Sequence, residues 1–174
     1  AFNRAYALSS VSDGNRILIL GEDESGKTDD LKHILVPVDM VFNRVNGKQS
    51  QYFSAHLLAP MPISDDVTED VLSKNHSSVI MNMRIVGDVA GTTSIRFLSG
   101  GDAEVAIWDR LYDKHKNNLE VLRYDLMQTP HHNSWHTLSY ESWSKTQGTA
   151  QPSVKAVTAL SQSNPGAVIV SSSD

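Results

Sequence analysis

No cysteine occurs anywhere in the 174 residues, which excludes disulfides and thiolate metal sites. That absence accords with a cytoplasmic protein, the compartment expected here. Long apolar runs are also missing. None approaches the roughly 20 residues of a membrane-spanning helix, so no membrane partner is expected. The opening "AFNRAYALSS" lacks the apolar stretch of a secretory signal. It starts with Ala rather than Met, as expected of a processed chain or a fragment. An excess of positive charge is absent too. The net charge is −5, so a broad electrostatic grip on nucleic acid is not expected, although a local basic groove is compatible with it. Internal repeats and low-complexity linkers are not found. What remains is ordinary globular composition, 40% hydrophobic and 20% charged, enough for a single domain or partial domain over residues 1–174.

Residues 16–28, "RILILGEDESGKT", contain the pattern G-x-x-x-x-G-K-[ST] behind an apolar run. A phosphate-binding loop needs converging backbone N–H groups, positive charge and a helix that opens at the loop. Here Glu22, Asp23, Glu24, Asp29 and Asp30 surround Lys27, and Pro37 leaves room for two helical turns at most. Five carboxylates repel phosphate where attraction is required. The segment therefore reads as a buried strand followed by an acidic surface turn.

The second half has a clearer pattern. "SSVIMNMRIVGD" and "TTSIRFLSGGD" read as strands closed by glycines. "AEVAIWDRLYDKHK" is an amphipathic helix, with Ala103, Ile107 and Leu111 at i, i+4 and i+8 and with Trp108 and Tyr112 widening the stripe. "LEVLRYDLMQT" reads as a strand stopped at Pro130, "HHNSWHT" as a polar loop, "SYESWSKT" as a short helix and "GAVIVSSS" as a last strand. The order strand–helix–strand–helix–strand is an α/β pattern.

Two clusters stand just past predicted strand ends, where open α/β architectures place their sites. Asp102 follows Gly100 and Gly101, whose freedom lets the backbone turn sharply. His131 and His132 follow Pro130. A carboxylate with imidazoles suits zinc or manganese. The plainer alternatives are that Asp102 caps the following helix and that the histidines are a solvated loop. If they form a site, both clusters should share one sheet edge.

The ordered series "NHSSVIMNMRI", "TTSIRFLSGGDAEVAIWDRL", "LRYDLMQTPHHNSWHTLSYESW" and "GAVIVSSS" resembles the C-terminal half of metallo-β-lactamase-fold hydrolases, over about residues 53–173. The branch it is most similar to includes the soluble domain of the bacterial DNA-uptake channel. Asn75, Ser78, Gly101, Asp102, Ala103, Glu104, His131, His132 and Ser134 stand at that branch's motif positions, and Asn133 stands where Gly is usual. The resemblance implies part of a four-layer αββα sandwich. Asp102 would bridge two metal ions, zinc or manganese, in the complete enzyme. One of His131 and His132 would be a ligand and the other would contact substrate, with Ser134 and His136 as outer groups. The family's His-x-His-x-Asp-His motif is absent from the sequence. A missing N-terminal half or a partner polypeptide is therefore implied, along with an apolar sheet face for it to cover. His33, His56, His76 and His115 match no ligand motif.

The resulting expectation is a metal-dependent hydrolase, phosphodiesterase- or nuclease-like, with this chain as its C-terminal half. The charge favours short or single-stranded nucleic acid or a small phosphodiester as substrate. The competing expectation is a catalytically inactive binding or scaffold module. A third, a small P-loop NTPase, has the pattern at residues 21–28 behind it and would need "SIRFLSGGD" as its acidic strand end. Calorimetry with ATP or GTP plus magnesium should register no binding, and a micromolar affinity abolished by Lys27→Ala would overturn that expectation.

Overall fold

The computed structural model describes residues 17–21, 26, 28–45, 47–62, 75–88 and 90–172. In the N-terminal part, β1 (Ile19–Leu20) pairs in parallel with β2 (Leu35–Val36). Between them Asp29–Ile34 forms a 3-10 turn, so no α-helix opens behind the glycine pattern; Glu22, Asp23, Glu24, Ser25 and Lys27 lie outside the described residues. Three short strands follow, β3 (Val41–Phe42), β4 (Arg44–Val45) and β5 (Lys48–Gln49), and then the main strands β6 (Phe53–Ala59), β7 (Ile80–Val86) and β8 (Ser94–Ser99). The acidic segment "ISDDVTEDVLSK", whose composition suits a surface loop or short helix, lies outside the described residues.

The β7–β8 hairpin is set by its turn. The Asp88 carboxylate accepts from Thr92 N, Thr92 Oγ1 and Thr93 N at 3.0, 2.8 and 2.7 Å. Those bonds hold its carboxyl well below the usual carboxylate range. After β8 come α1 (Val105–His115), β9 (Tyr124–Gln128), α2 (Val154–Leu160) and β10 (Ser163–Val170). The six-stranded sheet has the order β10-β9-β8-β7-β6-β3. Strands β8, β9 and β10 are parallel through the helical crossovers, and the β8–β7–β6–β3 pairs are antiparallel. The molecule is thus mixed α/β with a mixed sheet.

The apolar stripe of α1 forms the core as its spacing predicts. Ile107, Trp108 and Leu111 are buried with Ile80 and Leu98 of the sheet and with Ala156 and Ala159 of α2. Each of the buried isoleucine and leucine side chains contributes on the order of 1.5–3 kcal/mol by leaving water. The buried Asn82 donates its amide to Val121 O and Arg123 O at 2.9 and 2.8 Å, which fixes the entry to β9. The second helix differs from expectation. Residues 139–148 form turns rather than a helix, because Trp143 packs edge-on against Trp135 and Gly148 sits at φ +83°. The helix begins instead after Ser153, whose hydroxyl accepts from Ala156 N and donates to Asp109 of α1.

Both α-helices cover one face of the sheet. Strand alternation sends Met83, Ile85, Ile95, Phe97, Val168 and Val170 to the other. Ile85 (40%), Ile95 (42%), Val168 (56%) and Val170 (50%) remain exposed there. A second sheet over that face is not seen among the described residues.

Asp39, at φ +70°, joins the N-terminal part to the core. Its carboxylate lies 2.7 Å from Lys114 Nζ, 3.6 Å from His115 Nε2 and 3.8 Å from His56 Nε2. Burial lowers the pKa of both imidazoles, against the opposing pull of Asp39. The unfolded chain therefore binds protons to these two rings more readily. Their contribution to stability is full above the ordinary imidazole value of 6.5 and is lost as pH falls through the lower folded values. The urea midpoint should fall between pH 7.5 and 5.5, and less steeply for His115→Gln. A midpoint that rises over that interval would contradict burial as the dominant cause.

Candidate functional site at the β8 and β9 strand ends

The two clusters picked from the sequence meet at the C-terminal ends of the adjacent parallel strands β8 and β9. Gly100 is required by close packing: a Cβ there would lie 2.7 Å from Pro130 Cγ and 2.8 Å from Trp108 Cζ2. Gly101 is required by its backbone, at φ +51° with Val79 O only 3.1 Å from the Cβ position. The turn they make is tied to the histidine loop by His131 N donating to Gly101 O at 2.9 Å. Asp102 is not a helix cap, since the N-cap of α1 is Glu104 and no side chain caps that end.

The histidine loop is strained. His131, His132 and Asn133 all lie in the left-handed region, at φ 48°, 51° and 63°. Such residues cost of order 1–3 kcal/mol each when not glycine and gather at functional sites. Asn is among the non-glycine residues that accept this region best, so Asn133 makes the turn usual for Gly. Ser134 then accepts from His136 N at 3.3 Å and caps the short turn Trp135–Thr137, a structural role.

The result separates the two histidines. His132 Nε2 stands 3.7 Å from Asp102 Oδ1, with both side chains exposed, 70% and 56%. Ser172, two residues past the end of β10, reaches the other nitrogen of that ring at 3.4 Å. His131 turns away and places Nδ1 3.8 Å from Glu104 Oε1, where the nitrogen is buried and makes no hydrogen bond. Glu104 accepts from Asn75 Nδ2 at 2.9 Å, so the Asn75 turn, Glu104 and His131 form a supporting layer beneath Asp102 and His132.

A tetrahedral zinc ion about 2.0–2.1 Å from each donor sets neighbouring donors roughly 3.4 Å apart. The Asp102–His132 separation is close to that. A catalytic zinc takes three protein ligands, and among the described residues no group of three or more His, Asp or Glu side chains is arranged to hold an ion. The donors fit half of a metal site. His56 and His115 stand elsewhere, beside Asp39. The grouping of His56 and His115 around Asp39 has no sequence signal, because each comes from a different element.

Gly100→Ala should destabilise the fold by about 1–3 kcal/mol, as overpacking does, and should shift the ring NMR signals of His132 through the displaced Pro130. An unchanged urea midpoint would mean that the Trp108–Pro130 contact is loose. Compared with protein-family models, curated proteins and solved structures, the chain matches none.

Proposed function

We propose that this chain supplies the C-terminal half of a metal-dependent hydrolase acting on phosphodiesters. The observation that carries the reading is the meeting of Asp102 Oδ1 and His132 Nε2 at 3.7 Å on one sheet edge, although β9 and a helix intervene between them in sequence. Their exposure leaves them open to further donors and to substrate. Geometry favours His132 as the ligand of the pair and His131 as a positioning residue. The exposed apolar face around Ile85, Ile95, Val168 and Val170 is the surface on which a missing N-terminal half or a partner polypeptide would close a four-layer sandwich and bring the remaining ligands.

In that assembly Asp102 and His132 would hold zinc or manganese, and a bound ion supplies Lewis acidity and a hydroxide near neutral pH. The supporting Asn75–Glu104–His131 layer keeps the strained loop in place, so that the His132 ring need not reorganise when substrate arrives. The net charge of −5 favours a small phosphodiester or short single-stranded nucleic acid over an extended duplex. The donor set of only two among the described residues favours a second reading, a catalytically inactive binding or scaffold module that keeps this architecture.

The test is hydrolysis of a chromogenic phosphodiester and of single-stranded DNA by the complete protein with manganese or zinc. Asp102→Ala and His132→Ala should each abolish turnover with the fold intact by circular dichroism. Unchanged turnover in both variants, or metal-loaded protein that cleaves no ester, would leave the scaffold reading standing.

A further inference from the structure

The helix-bearing face of the sheet changes character along its strands. Beneath α1 it is apolar, with Ile80 and Leu98. Beyond the end of α1 at His115 the same face presents Ser54, His56, Asn82, Arg84 and Arg96, which line a cleft of about 280 Å³. Arg84 and Arg96 are direct register partners across the antiparallel β7–β8 pair. Like charges so placed repel each other and weaken a sheet.

The local charge is only partly offset. Glu120 bonds Arg96 at 2.7 Å and also lies 3.3 Å from Arg123, so one carboxylate serves two guanidinium groups. The Arg84 guanidinium has no ion pair or side-chain hydrogen bond among the described residues. Three arginines stand against two carboxylates, Glu120 and Asp125, the latter accepting from Arg96 N at 2.7 Å, which leaves one local positive charge in excess in a chain whose overall charge is −5. The neighbouring Asp39 and Lys114 neutralise each other at 2.7 Å. The cleft is therefore a positive pocket on an acidic protein. Val41 and Val121 form part of its walls, and such apolar flanks strengthen an electrostatic contact.

We propose that this cleft binds a phosphate dianion, free or as a monoester, between the guanidinium groups of Arg84 and Arg96. Two guanidinium forks side by side match the charge and the several oxygens of a tetrahedral dianion, whereas one fork suffices for a carboxylate. Directly opposed residues have Cβ atoms about 4.5–5.5 Å apart, which lets both forks reach one phosphorus centre. Asn82, fixed by its bonds to Val121 O and Arg123 O, holds the adjoining wall in place. The site is separate from Asp102: six residues along β8 and its turn place it up to roughly 20 Å away. It stands whether or not the hydrolase reading does.

The experiment is calorimetry and thermal unfolding of the whole chain with EDTA present, in sodium phosphate and in sodium chloride of equal ionic strength. Phenyl phosphate serves as the monoester probe. Phosphate or phenyl phosphate should bind and raise Tm above the chloride value, and the tighter of the two identifies the source. Arg84→Gln should weaken binding at least tenfold. That variant relieves the Arg84–Arg96 repulsion, so its Tm in chloride should not fall. His132→Ala should bind like the parent. If neither anion exceeds chloride, if Arg84→Gln binds as tightly as the parent, or if His132→Ala loses the effect, the cleft is not the site.

Discussion

Trp108 lays its indole against the backbone of Gly100, with Pro130 on the same spot and no space for a Cβ between them. The indole nitrogen donates to Ala103 O at 3.2 Å, which closes the turn between β8 and α1 onto the helix that carries the tryptophan. One buried aromatic thus sets the helix on the sheet, aims the Asp102 turn and brings the loop after β9 alongside it. The bond from His131 N to Gly101 O is possible only at this range. The candidate site is therefore an extension of the core rather than an ornament on a loop.

The sheet divides the remaining interactions by face and by strand position. On the covered face, burial under α1 and α2 stabilises the fold through apolar contact. Where the helix ends, the same alternation places Arg84 and Arg96 in a cleft beside the buried Asn82 and the half-buried His56. On the opposite face the alternation continues to deliver apolar residues with nothing described to cover them. The histidines follow the same logic of place. His56 and His115 are enclosed beside Asp39, His131 lies near Glu104, and His132 is exposed beside Asp102.

Much of the second half was legible in the sequence because its signals are local. Period-2 apolar runs gave β7 and β8, the Ile107–Leu111 stripe gave α1, and Gly100-Gly101 and Pro130 marked the strand ends. The second helix was misplaced for an equally local reason. "SYESWSKT" has helical spacing, but the edge-to-face contact of Trp143 with Trp135 holds it as turns. The usable signal was Ser153, a good N-cap that follows Pro152. The strand over 119–129 was read too long, because residues 119–122 form a 3-10 turn fixed by Asn82 from a distant strand.

What the sequence determined by itself was β7, β8, α1, the last strand and the two chemical clusters, since turn formation and amphipathic spacing act over a few residues. Tertiary structure alone decided which histidine faces Asp102, because that follows from three successive left-handed residues held against the β8 turn by the bond from His131 N to Gly101 O. It also decided the meeting of Asp39 with His56 and His115 and of Arg84 with Arg96. Those groups belong to elements far apart in the chain. Only strand register and the packing of α1 bring their charges within reach of one another, and a linear sequence carries no local energy that specifies either.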